Sequence, residues 1–356
     1  MINQVNNIKR AFFTAELLQW NKADNQRLMP WKNEKDPYKI WISEIILQQT
    51  RVQQGMEYYN RFIKAFPTVQ HITNASESQV FKLWEGLGYY SRCKNIIASA
   101  RYITNELGGK FPENFNGILQ LKGIGNYTAS AIASFAFNLP YAVLDGNVFR
   151  VLSRFFGIAI PIDNKDGRKI YSVIADQLLD KKNPATYNQA IMDFGATICK
   201  PKLPLCHICP LGQNCVAFIN GMVNTLPVKE KIIARKLRWL YYLLIEWNNK
   251  LYVRKRATKD IWQNLNEFVL IETQKPVSVV ALKGSAAFRQ IFNSAGCTIT
   301  SVSKIYKQHL THQTITGRFI RINIKAKLSI QDYQLIPVNK LNLLPFPKFI
   351  TTYLKD

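Results

Sequence analysis

The sequence predicts a multidomain protein in which an all-α half precedes a smaller α+β domain. Three observations carry this. Apolar residues recur at intervals of three and four from Lys9 to about Ala196, a polar basic stretch with a proline follows at 224–236, and beyond it the pattern turns to strand-like runs. A chain of 356 residues, 47% of them apolar, buries a sizeable core and divides readily in two. The expected limits are residues 1–223 and 237–356, joined by a linker over 224–236.

Helix starts and stops punctuate the first half at Thr73–Glu77, Gly108–Gly109 and Asn183–Pro184. After the linker, Trp239–Trp247 is dense in aromatic and aliphatic residues, and Phe319–Lys325 alternates apolar with polar, so both read as strands. Ser285–Phe292 and Phe349–Leu354 have helical spacing, which makes the second domain α+β. The 47 Lys and Arg against 23 Asp and Glu leave a net charge of +24, a field that attracts polyanions and makes nucleic acid the expected partner. No window reaches the ~18–20 apolar residues of a membrane span, and the first residues lack the apolar run and cleavage site of a signal peptide. The expected location is cytoplasmic, beside the nucleoid in a bacterium.

Four of the six cysteines, Cys199, Cys206, Cys209 and Cys215, follow a C-x6-C-x2-C-x5-C spacing in a loop that also holds Pro201, Pro204 and Pro210. In a large chain from a reducing compartment such a cluster reads as a metal site rather than as disulfides. Tetrathiolate ligation of a [4Fe–4S] cluster or of zinc follows, and the single C-x2-C knuckle favours iron–sulfur over a two-knuckle zinc ribbon. The loop then pins a basic segment rather than catalysing. Cys93 and Cys297 stand alone, as small apolar residues do.

Leu121–Ala129 sets Gly123 and Gly125 immediately before a helix beginning near Asn126, with Lys122 beside them, as in a helix–hairpin–helix over about 115–137. Glycines let backbone approach a phosphate, and a helix N-terminus supplies N–H donors with partial positive charge. About twenty residues on, Asp145 follows an apolar stretch and opens another helix, a position that serves equally as an N-cap.

Hairpin, downstream aspartate and cysteine loop occur in this order in the endonuclease III superfamily of DNA glycosylases, which the helical half of the chain resembles. Bifunctional members carry a nucleophilic lysine two residues after the second hairpin glycine, where this chain has Tyr127. It is thus similar to the monofunctional adenine-excising branch, the MutY family. That branch's signature, an acidic residue followed by an LQQT segment, appears as Glu44 with Leu47–Thr50. On a helix Glu44 neighbours Ile40, Trp41, Leu47 and Gln48, and desolvation on such a face raises a carboxyl pKa.

The resemblance implies a monomer acting on duplex DNA that contains A:8-oxoguanine or A:G mispairs. Protonated Glu44 would be the acid at adenine N7, and ionised Asp145 would face the developing oxocarbenium, with Tyr127 in support near Asp145. Gln49, Thr50, Leu87 and Tyr89 match the positions that probe the opposite base and the stack, and Lys32 stands in the adenine pocket where the family usually has arginine. The second domain resembles the family's Nudix-like 8-oxoguanine reader through Lys259–Phe268 and the Leu310–Thr311–His312 loop, where Thr311 and His312 would meet the lesion. It lacks the Glu-dense helix of a Nudix hydrolase, so it should bind without hydrolysing.

Overall fold

The computed structural model describes residues 7–50, 52–230, 234–293 and 296–356; residues 231–233 of the expected linker and Arg51 of the LQQT segment's flank lie outside them. The described chain forms two compact units. One runs from its start to Asn74 and from Asn95 to the linker, and the other combines Ala75–Lys94 with the chain after the linker.

The first unit is helical: α1 (Asn7–Ala23), α2 (Pro37–Leu47), α3 (Val52–Ala65) and α4 (Val69–Asn74) precede the segment given to the other unit. That segment contains α5 (Glu77–Trp84) and the first turn of α6 (Tyr90–Glu106). The helical unit resumes with the rest of α6, then α7 (Phe115–Gln120), α8 (Asn126–Phe137), α9 (Gly146–Phe156), α10 (Lys165–Leu178), α11 (Pro184–Thr197) and α12 (Val216–Ile219). Phe13 and Leu17 of α1, Leu152 and Phe155 of α9, and Ile191 and Phe194 of α11 meet in one core. α8, whose buried residues are mostly small (Ala129, Ser130 and Ala133 among them), packs on α2, and the pair carries polar groups to a shared face. α9 and α11 cross equally closely: a Cβ on Gly195 would lie 2.7 Å from Asn147 Cβ.

In the second unit a mixed sheet is built from β1 (Lys236–Trp247), β2 (Lys250–Lys255), β3 (Asn266–Thr273), β4 (Cys297–Val302), β5 (Tyr306–His309), β6 (Gln313–Ile324) and β7 (Gln334–Pro337). The order is β4-β6-β1-β3-β2-β7, with β5 also on β6 and β1 parallel to β6. Both faces are covered. Tyr241, Leu243 and Ile245 pack with Leu282 of α13 (Val279–Lys283) and Phe288 of α14 (Ala286–Phe292), while Tyr242 and Phe319 meet Phe349 of α15 (Lys348–Lys355). Burial on two sides is why the Trp239–Trp247 run is apolar without alternation. The α+β character read from the sequence is borne out. Among the described residues no helix is long and apolar enough to cross a membrane.

Candidate active site

Asp36 caps α2, its side chain accepting from Tyr38 N–H at 2.9 Å, and Pro37 opens the helix. Tyr38 and Ile40–Ile46 are all buried, so Glu44 enters the interior with its neighbours and is 5% exposed. Gly125 begins α8 without a side-chain cap, and Tyr127 in the first turn donates its hydroxyl to Glu44 Oε2 at 2.6 Å. Burial pushes the Glu44 pKa up to about 7; the Tyr127 bond opposes the rise and the Asp145 charge adds to it. Burial raises Tyr127 as well, which keeps the phenol a donor. The hydroxyl is bonded to Glu44, and Tyr127 also shares the cavity with Asp145, whose charge adds to the rise in the phenol's pKa.

Asp145 is both cap and pocket residue. Its Oδ1 accepts Val148 N–H at 2.7 Å, closing the start of α9, and its Oδ2 accepts Asn147 Nδ2 at 2.7 Å. Burial raises its pKa above the ordinary carboxylate value, and these bonds and the Arg150 charge oppose the rise without reversing it. Both oxygens receive N–H donors, the pattern that suits an anion. The extended stretch leading to it has no sheet partner and leans on Asn188 of α11. Asn188 Oδ1 accepts Val143 N–H at 3.1 Å, and its Nδ2 donates to Tyr141 O and Ser134 Oγ, each at 2.9 Å.

From the same cap a chain of bonds reaches the cysteine loop. Arg150 donates to Asn147 Oδ1 at 2.8 Å, Gly195 O at 2.6 Å and Cys199 O at 2.7 Å. Arg154 holds Lys200 O at 2.8 Å and reaches Cys199 Sγ at 3.5 Å. Cys199, Cys206, Cys209 and Cys215 line one small cavity of about 30 Å³.

Glu44, Tyr127 and Asp145 open on a cavity of about 440 Å³, within the roughly 300–1,000 Å³ range of small-molecule sites. Lys32, Gln49 and Thr50 line it too, so the structure brings these predicted residues together. Sequence reasoning missed Arg27, Gln189 and, behind them, Asp193. The signal available was a run of polar residues, Asn188, Gln189 and Asp193, inside an otherwise apolar helix.

The hairpin takes the expected form: Gly123 has φ +83°, and a Cβ there would lie 2.5 Å from Asn95 Nδ2. Lys122 is exposed, and its carbonyl accepts from Ser99 Oγ at 3.1 Å. The capless start of α8 at Gly125 leaves its first-turn N–H groups to serve an anion. Gln49 (φ 59°) and Tyr89 (φ 47°) both adopt the left-handed backbone that is uncommon for non-glycine residues.

In the second unit Leu87 is 7% exposed and Tyr89 43%, so Tyr89 is the more accessible of the two. Its hydroxyl hydrogen-bonds Thr311 Oγ1, and the Arg92 guanidinium lies 5.3 Å from its ring centroid. Thr311 and the exposed His312 form the tip of the β5–β6 hairpin, whose base closes with Leu310 N–H donating to Gln313 O at 2.7 Å.

Comparison with known proteins accords with this geometry. Residues 42–171 match the HhH-GPD superfamily of base excision DNA repair proteins. The chain is 37% identical over 264 residues to the adenine DNA glycosylase of Buchnera aphidicola subsp. Schizaphis graminum (strain Sg), covering 74% of this chain and 76% of that one. It is 34% identical over 306 residues to the enzyme of the same name from Buchnera aphidicola subsp. Baizongia pistaciae (strain Bp), covering 85% and 84%. Among solved structures a thermostable thymine-DNA glycosylase superposes with a TM-score of 0.56 at 30% identity, covering 60% of this chain and 98% of that one. A trapped endonuclease III–DNA covalent intermediate gives 0.53 at 18% identity, covering 62% and 100%, and shares the fold. At 34–37% identity over about three quarters or more of each chain, the chain belongs to the adenine DNA glycosylase family of the HhH-GPD superfamily.

Proposed function

We propose that this DNA N-glycosylase excises adenine paired with 8-oxoguanine, and more slowly adenine paired with guanine, in base excision repair. The observation that carries it is the pair of carboxyl groups opening on one cavity, one raised to about 7 by burial and the other receiving N–H donors at both oxygens. Adenine leaves poorly as an anion, and C1′ becomes cationic as the bond breaks. With Tyr127 donating to Oε2, Oε1 of Glu44 is left to carry the proton to N7 of the extruded base. Asp145 stabilises the oxocarbenium from the other side before water adds at C1′. Tyr127 is a phenol and forms no Schiff base, so the product strand keeps its abasic site.

Duplexes bearing A:8-oxoguanine, A:G, T:G or thymine glycol, analysed with and without alkali, test this reading. Alkali-dependent breaks at the adenine are expected. Direct strand cleavage at thymine glycol, or breaks at the T:G thymine alone, would overturn it.

The four clustered cysteines fit a [4Fe–4S] centre better than one zinc ion. Thiolates sharing a single zinc at ~2.3 Å crowd together, whereas those of a cluster bind separate irons and stand farther apart. All four thiols ring one cavity, so the donor set a tetrathiolate centre needs is present at one place. When bound, the cluster would hold in place the loop whose Cys199 carbonyl receives Arg150. Purified protein is expected to be yellow-brown, with iron and acid-labile sulfide in equal amounts; colourless protein with stoichiometric zinc would reverse the assignment.

Thr311 and His312 are the proposed readers of 8-oxoguanine. The lesion differs from guanine in a protonated N7 and a C8 oxygen, and the Thr311 hydroxyl can accept from that N7–H. Removing such a bond costs ~1–3 kcal/mol. Thr311→Ala, or His312→Ala, is expected to lower the preference for A:8-oxoguanine over A:G by roughly one to two orders of magnitude. Variants that lose thermal stability yet keep the parent preference would remove these residues from the site.

A further inference from the structure

We propose that Asp193 is a positioning residue of the base pocket, its buried carboxylate gathering Arg27 and Lys32 into a fixed donor wall across from the catalytic carboxyl groups. The inference rests on the adenine-excising reading above.

Asp193 sits on α11 with its side chain wholly buried. Each oxygen takes two donors. Oδ1 accepts Arg27 Nη1 at 2.7 Å and Gln189 Nε2 at 3.0 Å, and Oδ2 accepts Asn25 Nδ2 at 2.9 Å and Lys32 Nζ at 3.2 Å. The segment between α1 and α2 that supplies three of these donors contains no helix or strand. Side-chain bonds shape it instead: Lys32 Nζ also donates to Arg27 O at 2.9 Å, and Arg27 N–H to Asn25 Oδ1 at 3.2 Å. Arg27, Lys32 and Gln189 line the base cavity, whereas Asp193 does not. It therefore acts through them.

Burying an anion beneath two cations is a poor way to gain stability compared with packing apolar groups there. What it supplies is direction. An ammonium has three N–H donors; Asp193 and the Arg27 carbonyl take two from Lys32 and leave one for a ring nitrogen of the base.

The second consequence is electrostatic. The groups that share the cavity with Glu44 are Tyr127 of α8, Asp145 at the start of α9, and Arg27, Lys32, Glu34 and Lys35 of the connecting segment. Neutralising Asp193 leaves this pocket one charge more positive. Positive charge favours an ionised carboxyl, so Glu44 surrenders its proton at lower pH. A residue that merely packed would not produce that shift.

The test measures single-turnover excision from A:8-oxoguanine duplex across pH for the full-length, cluster-loaded protein and its variants, alongside thermal melting. Asp193→Asn is expected to slow excision by about tenfold to a hundredfold and to move the alkaline limb of its pH profile towards acid. Asp193→Glu, which keeps the charge, should hold the limb near its parent position. Lys32→Met, which removes one wall cation and leaves Asp193 intact, should move the limb the opposite way and remains informative if Asp193→Asn does not fold. Parent-like limbs in Asp193→Asn or Lys32→Met would overturn the proposal. A parent protein that excises no adenine would instead sink the functional reading.

Discussion

Glu44→Gln is expected to slow adenine excision in single turnover by roughly 10²–10⁴-fold, the contribution of a positioned general acid. Glutamine keeps the shape and can still accept from Tyr127, but it has no proton to give. With Glu44 as the proposed acid the reactive form is the protonated one, so the parent rate should fall as pH rises through about 7, and the variant should lose this limb. Stability runs with the same sign. Burial raises the folded-state pKa above the ordinary 4.5, so the stabilisation tied to the protonated form is full below about 4.5 and is lost as pH rises through about 7. Glu44→Gln, neutral throughout, should therefore melt no earlier than the parent at pH 8. A variant that loses activity only in proportion to its folded fraction would remove Glu44 from the chemistry.

Asp145→Asn is expected to lower excision by at least roughly 10²–10³-fold, the scale of deleting one preorganised charge from a transition state, while preserving affinity for A:8-oxoguanine DNA. Asparagine can still accept Val148 N–H and hold the first turn of α9. Its amide offers no negative charge to the oxocarbenium, and its NH₂ group would face the donor Nδ2 of Asn147. Binding by fluorescence anisotropy and excision by quench-flow separate the two outcomes. Equal losses in both would show that Asp145 matters as a helix cap alone.

Much of this protein is written in local spacing. Periods of three and four marked the helical half, and the change of period after residue 236 marked the sheet. The hairpin glycines and the C-x6-C-x2-C-x5-C loop were also legible, because their spacing is confined to a few residues, whereas Glu44 and Asp145 were singled out by the resemblance to the MutY family. The short strands β2, β5 and β7 were not, since each is defined by its neighbour: β5 is four residues whose pairing with β6 supplies the ladder. Nor was the membership of Ala75–Lys94 in the second unit, where Phe346 N–H donates to Glu85 Oε2 at 3.1 Å and Lys82 to Leu344 O at 3.0 Å.

By itself the sequence determined that a helical half precedes a strand-bearing domain and that four thiols fall within one short loop, since helix periodicity and ligand spacing act over short stretches of chain. Only the tertiary structure decided that Tyr127 serves Glu44 across 83 positions, that Asp193 gathers donors 161 to 168 positions away, and that Tyr89 meets Thr311 across 222. Hydrogen bonds of that reach depend on how helices cross and how an irregular segment is tied down. Neither leaves a period in the sequence, whereas burial makes the partners of Glu44 and Asp193 decisive for the charge and direction of those groups.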